Sequence, residues 1–334
     1  MNYFVTGGAG FIGANLSDYL LKKGFRVTIF DNLSRPGSES NLDWLNGIHG
    51  QNLSFEKGDV RDYDGLIKAV EGMDVIIHLA SQVAVTSSVK NPREDFNINA
   101  LGTLNVLEAL RLNCPSAIFL NASTNKVYGG MEGVRIVERE TRYDYADFIH
   151  GIPENFPLDF HSPYGCSKGA ADQYTIDYSR IYGLRTVTLR QSCIYGPRQF
   201  GVEDQGWVAH FVIAVSKGRR LTIYGDGKQL RDLLHISDLV LAYELAVNNI
   251  EKISGKAVNL GGGAENTLSV WAEFGPLLEN LTGQTIRVDY KDWRPGDQRV
   301  FYADISRAAA LLDWQPQISP QEGLAELYKW VKEF

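Results

Sequence analysis

The sequence predicts an α/β fold: a parallel sheet with helices on both faces, joined to a smaller mixed α/β region. Three observations carry that prediction. Short apolar runs alternate with helix-period stretches through the first half of the chain, the order of strands in a parallel sheet. A glycine-rich turn, Gly7 to Gly13, separates the first apolar run from the first helical stretch. The run from Val75 to Leu79 is apolar almost throughout, as a strand covered on both faces must be.

Taken in order, Tyr3 to Thr6 reads as a strand and Gly10 to Lys23 as a helix. Arg26 to Phe30 and Leu53 to Lys57 are strands, and Tyr63 to Val70 is a short helix. After the buried strand at Val75 come a helix from Phe96 to Arg111, a strand from Ala117 to Ala122, a helix from Lys168 to Ile181 and a sixth strand from Arg185 to Arg190. Between Gly129 and Ser162 the rhythm breaks into Gly, Pro, Asp and aromatics with no clear period. A loop of that length inside a compact domain is usually a lid or a binding element. Beyond Tyr195 short strands, the turn Gly225-Asp226-Gly227 and helices at Asp238 to Asn249 and Glu322 to Lys332 suggest a smaller second region. Residues 1–192, with 236–262 returning to them, are expected to hold the cofactor, and residues 193–235 and 263–334 the substrate.

Composition narrows the function classes. A chain of 334 residues, 44% hydrophobic and 22% charged, buries a large core without staples and is not a disordered or fibrous sequence. Its net charge of −7 argues against a general nucleic-acid binder. The 3 cysteines, Cys114, Cys166 and Cys193, are odd in number and widely spaced, which suits reduced thiols better than disulfides or zinc. The start, Met1 to Thr6, lacks the basic and apolar regions of a secretory signal, and no apolar run approaches the roughly 18 residues of a membrane span. A cytoplasmic protein with no membrane partner and no metal is the expectation.

Two constellations carry chemistry. At Gly7-Gly8-Ala9-Gly10-Phe11-Ile12-Gly13, glycine permits a tight turn and lets backbone N–H groups approach a pyrophosphate at the positive end of a helix. A structural turn is the competing account of the glycines alone. Asp31 ends the second strand near the offset of about 20 residues that a ribose-binding acid takes. A carboxylate there accepts from ribose hydroxyls and repels a 2′-phosphate, favouring NAD over NADP, although Arg35 lies close by. The second constellation is Tyr164-x-x-x-Lys168, whose spacing puts both side chains on one helical face. An ammonium beside a phenol favours the phenolate and prepares it as a general base. Tyr19-x-x-x-Lys23 and Tyr224-x-x-x-Lys228 share the spacing but offer no cleft. Only Tyr164 follows a strand ending in hydroxyls, Ser123 and Thr124.

These motifs, with Asp59-Val60, His78-Leu79-Ala80, Asn99 in Asn-x-x-Gly-Thr, Val127-Tyr128-Gly129 and Arg294-Pro295-Gly296-Asp297, resemble the extended short-chain dehydrogenase/reductase family over essentially the whole chain. The resemblance implies a Rossmann domain that binds NAD and a nucleotide-activated sugar as substrate. It implies Tyr164 as the base, Lys168 as its support and the holder of the nicotinamide ribose, Thr124 as hydroxyl partner with Ser123 second, and Asp59 and Val60 at the adenine. The cofactor set it implies also takes in Gly7, Gly10, Phe11, Ile12, Gly13, Asp31, Asn32, Ser34, Arg35, Leu79, Ala80, Ser81, Asn99 and Gln191.

Within that family, 4,6-dehydratases resemble Thr-Asp-Glu-Val-Tyr-Gly, whereas this chain has Thr124-Asn125-Lys126-Val127-Tyr128-Gly129. Asn cannot serve as the acid and Lys replaces the carboxylate base, so dehydration is disfavoured. Cys193 departs from the Asn that galactose-type 4-epimerases often carry there. The run Pro157 to Gly169, the segment Gly196 to Phe200 and Asp204-Gln205-Gly206-Trp207 are similar to the branch of CDP-paratose/CDP-tyvelose 2-epimerases. That implies a CDP-sugar substrate inverted at C2, with a UDP-sugar 4-epimerase and an NAD-consuming oxidoreductase as alternatives. The implied substrate set is Thr124, Asn125, Lys126, Ser192, Cys193, Arg198, Gln205, Trp207, Val208, Tyr224, Arg231 and Arg294. Arg231 would pair with the diphosphate, with Arg294 and Arg198 as further candidates and a solvated surface role as the alternative for each. Phe200 and Trp207 suit either the nucleotide pocket or an aromatic core, and the spacing of His78 and His161 fits no metal pattern. Apolar faces at 96–111 and 168–181 resemble the family's subunit contact, implying a homodimer or homotetramer, with burial inside the monomer as the competing account.

Overall fold

A computed structural model describes residues 1–294 and 297–333; Pro295 and Gly296 of the Arg294-to-Asp297 motif, and Phe334, lie outside the described residues. Strands β1 (Asn2–Thr6), β2 (Arg26–Asp31), β3 (Leu53–Lys57), β4 (Val75–His78) and β5 (Ile118–Thr124) are connected through α1 (Phe11–Lys22), α2 (Ser38–Ile48), α3 (Tyr63–Ala69), α4 (Val85–Lys90), α5 (Pro92–Phe96) and α6 (Gly102–Asn113). The hairpin β6 (Ile136–Glu138) and β7 (Tyr143–Tyr145) precedes α7 (Ser162–Tyr182), β8 (Arg185–Gln191) and β9 (Ile194–Tyr195). Then come α8 (Trp207–Ser216), β10 (Leu221–Tyr224), β11 (Leu230–Asp232), β12 (Leu234–His235), α9 (Ile236–Asn248), α10 (Ile250–Ile253) and β13 (Ala257–Leu260). The chain ends with β14 (Thr267–Ser269), α11 (Phe274–Thr282), β15 (Val288–Lys291), β16 (Val300–Phe301), α12 (Ser306–Leu312) and α13 (Pro320–Val331).

The central sheet is parallel throughout, in the order β13-β8-β5-β4-β1-β2-β3. The chain builds outward from β1 to β3, then returns to β4 and builds the other way. The order therefore reverses between β1 and β4, and a crevice opens there at the carboxyl ends of the strands. Side-chain alternation feeds two cores. Val5, Ile29 and Ile77 meet Leu16 and Leu20 of α1 and Leu239 and Tyr243 of α9 on one face. Phe4, Phe30, Ile76 and Phe119 meet Leu66, Val106 and Leu110 on the other. A third cluster joins α8, α11 and α13 through Phe211, Phe274, Leu327 and Trp330.

Several sequence-based boundaries move. The stretch read as an irregular loop from Gly129 to Ser162 carries the β6–β7 hairpin and its own core, in which Tyr128, Tyr143, Tyr145 and Tyr302 pack together. Its aromatics have no period because they cover a surface rather than line a stripe. Helix α7 starts at Ser162 rather than Lys168, with Pro163 in its first turn, where a missing N–H costs nothing. The expected helix from Phe96 to Arg111 is divided: a π-helical turn, Asn97–Leu101, separates α5 from α6. Helix α2 has no counterpart in the sequence reading, because Ser, Glu, Asn and Asp fill much of it.

Candidate active site

A cavity of about 450 Å³ lies over the crevice. Its cofactor-facing wall is shaped by absent side chains. A Cβ on Gly7, which has φ +68°, would lie 2.7 Å from the Ala80 amide nitrogen, and one on Gly13 would lie 2.4 Å from the Gly7 carbonyl oxygen. Gly10 begins α1 without a side-chain cap, and Gly10, Phe11, Ile12 and Gly13 line the cavity, so the unsatisfied N–H groups of the first helical turn are available to an anion. At the end of β2, Asp31 Oδ2 accepts from the Ala9 amide at 3.1 Å and Oδ1 from the Leu33 amide at 2.8 Å. The carboxylate is thereby fixed with lone pairs to spare for hydroxyls. Asp59 accepts from Arg61 Nη2 and Asn32 Nδ2, each at 2.7 Å, and the Arg61 guanidinium holds its carboxyl well below the usual range. The glycine cradle, uncapped helix and anchored acid fit a dinucleotide.

The catalytic candidates meet at the other end. Thr124 closes β5, Tyr164 sits in the first turn of α7, and Lys168 follows one turn on. The Thr124 hydroxyl stands beside the Tyr164 phenol and donates to Asn125 Oδ1 at 3.3 Å, and the Tyr164 amide donates to Ser88 Oγ at 3.1 Å. Burial pushes the phenol up to about 12, against the smaller opposing pull of Thr124. Burial likewise brings Lys168 down to about 8, against Asp172 and Asp95. The sequence reading set the ammonium beside the phenol; instead Lys168 Nζ donates to the Ala122 carbonyl at 2.5 Å, because α7 crosses directly beneath β5. Ser123 lines the cavity as well, but its hydroxyl is engaged elsewhere. Consecutive residues of a strand face opposite ways, and Ser123 Oγ donates to Asp172 Oδ2 at 2.7 Å, away from Tyr164.

Most predicted residues do line this cavity: Asn32, Ser34, Arg35, Val60, Leu79, Ala80, Ser81 and Gln191 of the expected cofactor set, and Asn125, Lys126, Ser192, Cys193, Arg198, Gln205, Trp207 and Val208 of the expected substrate set. Lys126 stands on the 3-10 turn after β5, and burial with Arg231 nearby lowers its pKa. Four predicted residues stand outside the lining. Asn99 is turned inward, where its Oδ1 accepts from Ser81 Oγ at 2.8 Å and from the Gln82 amide at 2.9 Å. Arg231 donates to the Gln298 carbonyl at 2.6 Å. Arg294 stacks 3.8 Å from the Tyr224 ring centre and faces Asp204 Oδ1 at 3.6 Å. Tyr224 in turn donates to Glu203 Oε1 at 2.7 Å. The groups expected to grip a diphosphate are thus engaged with the protein's own oxygens.

The structure adds Ser38 and Asn41 from α2 and Gln199 from the segment after β9 to the cavity wall. The α2 pair escapes the sequence reading because Ser38 and Asn41 are polar residues on that helix's buried face, beside Leu42 and Leu45; Gln199 stands beside the noted Arg198. Phe200 also lines the cavity, and Trp207 both lines it and packs on the third core. His78 is held between Thr6 and Thr103 at 2.8 and 3.0 Å, and His161 pairs with Asp159 at 2.9 Å. Among the described residues no group of three or more His, Cys, Asp or Glu is placed to hold a metal, and no helix is long and apolar enough to cross a membrane.

Comparison with known proteins places this geometry. The family model described as GDP-mannose 4,6 dehydratase matches residues 4–327. CDP-paratose 2-epimerase of Salmonella typhi is 44% identical over 338 residues, spanning 99% of this chain and 99% of that protein. UDP-glucose 4-epimerase of Thermotoga maritima, solved with UDP-glucose, superposes with a TM-score of 0.86 at 31% identity, covering 100% of this chain and 99% of that one. UDP-glucuronic acid 4-epimerase of Bacillus cereus, solved with UDP-glucuronic acid and NAD, gives 0.86 at 28% identity with the same coverage of 100% and 99%.

Proposed function

Because the chain belongs to the GDP-mannose 4,6-dehydratase family of NAD-dependent epimerases and dehydratases, we propose that it inverts C2 of a CDP-activated sugar by passing through a 2-keto sugar. The observation that carries this reading is the side-chain set after β5. Thr124 and Tyr164 stand together at the cavity, but the next two positions are Asn125 and Lys126. Neither supplies the carboxylic acid that expels water, so the site keeps the means to remove and return one hydroxyl proton and lacks those for dehydration. The full-length likeness to a CDP-paratose 2-epimerase supports both the nucleotide and the carbon.

A 3,6-dideoxy sugar of this type has an acetal at C1 and no oxygen at C3. Its C2–H is not acidic enough to lose a proton directly, so oxidation at C2 comes first. NAD, held by the Gly7 to Gly13 turn and Asp31, would supply the acceptor for the C2 hydride and the source from which it comes back to the opposite face. Tyr164, as phenolate, takes the C2 hydroxyl proton and gives it back after the sugar has turned over. Thr124 donates to the same oxygen and keeps the phenol aligned. Lys168 holds the nicotinamide ribose. Gly7 to Gly13 and Asp31 hold the cofactor's pyrophosphate and ribose, with Asp59 and Val60 at its adenine. Residues 1–192 with 236–262 form the cofactor half, and 193–235 with 263–334 the nucleotide-sugar half. Arg231 and Arg294 clamp the diphosphate once it displaces Asp204 and the Gln298 carbonyl.

The exposed apolar residues Val89, Phe96, Leu112 and Ile181 lie on α4, α5, α6 and α7. This shared face supports a homo-oligomer built by pairing those helices. Product analysis tests the function. Purified protein incubated with a CDP-3,6-dideoxyhexose, and separately with UDP-glucose, is expected to interconvert C2 epimers of the first. Inversion only at C4 of the second would overturn the reading in favour of a UDP-sugar 4-epimerase.

A further inference from the structure

Behind Tyr164 and Lys168 lies a buried carboxylate that the reaction above does not use. Asp95, on α5, is 1% exposed. Its oxygens accept from neutral groups: Oδ2 from Ser167 Oγ at 2.5 Å and Oδ1 from Asn99 Nδ2 at 3.1 Å. Ser167 immediately precedes Lys168, and its hydroxyl also lies 3.2 Å from the Tyr164 carbonyl. Asn99 stands on the π-helical turn, whose wider coil brings its amide to Ser167 Oγ at 3.1 Å and to the Gln82 carbonyl at 3.1 Å. Single π turns inside longer helices often mark functional sites. One network therefore ties α5, the loop after β4 and the first turns of α7.

Charge bookkeeping separates Asp95 from its neighbour Asp172. Asp172 accepts from Arg190 Nη2 at 2.9 Å and Nε at 3.0 Å, so its charge is matched. Asp172 still acts on Lys168, more strongly than Asp95 does, but Asp95 acts on Tyr164 as well, and favours the protonated form of both. Other groups around the pair are accounted for. From β4, His78 is neutral, its pKa brought down to about 3 by burial. Arg35, from the loop after β2, acts on Tyr164 in the opposite sense. Lys126 follows β5 on the cavity side. Lys90 and Arg93, on α4 and α5, are exposed, and Glu94 pairs with Arg61 at 2.7 Å.

We propose that Asp95 is a positioning residue for the Tyr164–Lys168 pair: it anchors α7 through Ser167 and adds a negative charge that reaches both members of the pair. This rests on the reading of Tyr164 as the base, so the readout is chosen not to depend on turnover. The Tyr164 phenolate is titrated by ultraviolet absorbance in the NAD-saturated protein, as the difference between each variant and the same variant carrying Tyr164→Phe. Asp95→Asn keeps the shape and removes the charge, and is expected to move the Tyr164 midpoint down by about half a pH unit or more. Asp95→Glu, which keeps the charge, is expected to stay near wild type. Ser167→Ala is expected to lower turnover while leaving the midpoint in place. If Asp95→Asn does not fold, Asp95→Ser is the neutral variant, with the same expectation. An unmoved midpoint in a folded neutral variant would overturn the proposal. Full turnover by Tyr164→Phe would instead overturn the base assignment, and the midpoint shift would still report on Asp95.

Discussion

Tyr164 shows how burial and chemistry pull against each other at a single residue. In the ligand-free chain the phenol is held up at about 12 by desolvation, so it is protonated at neutral pH. The positive nicotinamide ring of the oxidised cofactor is the charge that would bring it into a base's range. Tyr164→Phe is expected to lower kcat by about 10²- to 10⁴-fold, the span of general-base catalysis, while NAD binding followed by fluorescence persists. Lys168 gives a sign that can be checked. Its pKa is about 8 in the folded chain against an ordinary 10.5, so between those values the unfolded chain holds a proton that the folded one has released. Stability should therefore rise with pH across that window, by about 3 kcal/mol relative to Lys168→Met. Denaturant melts of both proteins at intervals of pH measure it, and parallel curves would contradict it. At this scale the sequence was informative where a motif has a fixed spacing, as with Gly7 to Gly13 and Tyr164 to Lys168. It was silent on which way a side chain turns. Ser123 and Thr124 are adjacent, and only strand alternation sends one to Asp172 and the other to Tyr164.

At the scale of elements, β5, β8 and α7 are locked by the Arg190–Asp172 pair, which also gathers Ser123 and Thr188. Breaking a buried pair leaves an uncompensated charge, so Asp172→Asn is expected to cost about 3–5 kcal/mol, read as a lower denaturation midpoint. Little change would mean that the lock is not structural. The strands were legible because parallel strands buried on both faces are apolar runs, and β4 is buried at all of its residues. Helix α1 was legible from its glycines and its period. Helix α2 was not, because its cavity contribution, Ser38 and Asn41, is polar and its inward stripe is thin. The hairpin β6–β7 escaped for a related reason: a strand of three residues is too short to show alternation.

The whole molecule carries a net charge of −7 and is read here as binding two diphosphates. On the proposed reading local geometry resolves that tension, since one would be met by backbone amides at the start of α1 and the other by a few arginines. Those arginines now rest on Glu203, Asp204 and Gln298. Asp204→Asn is accordingly expected to lower KM for the nucleotide sugar severalfold without raising kcat; an unchanged KM would show that the contact does not compete. The apolar face of Phe96 and Ile181 makes a second prediction at this scale. Phe96→Asp with Ile181→Asp should give a smaller species in sedimentation velocity than the parent chain, and an unchanged sedimentation coefficient would remove that face as the contact. The central claim, inversion at C2 by oxidation and hydride return, is tested most directly in deuterated water. A CDP-3,6-dideoxyhexose is incubated with the protein and the product followed by NMR. The account predicts the C2 epimer with protium retained at C2, because the hydride never meets solvent. Deuterium at C2, or inversion confined to C4, would contradict it.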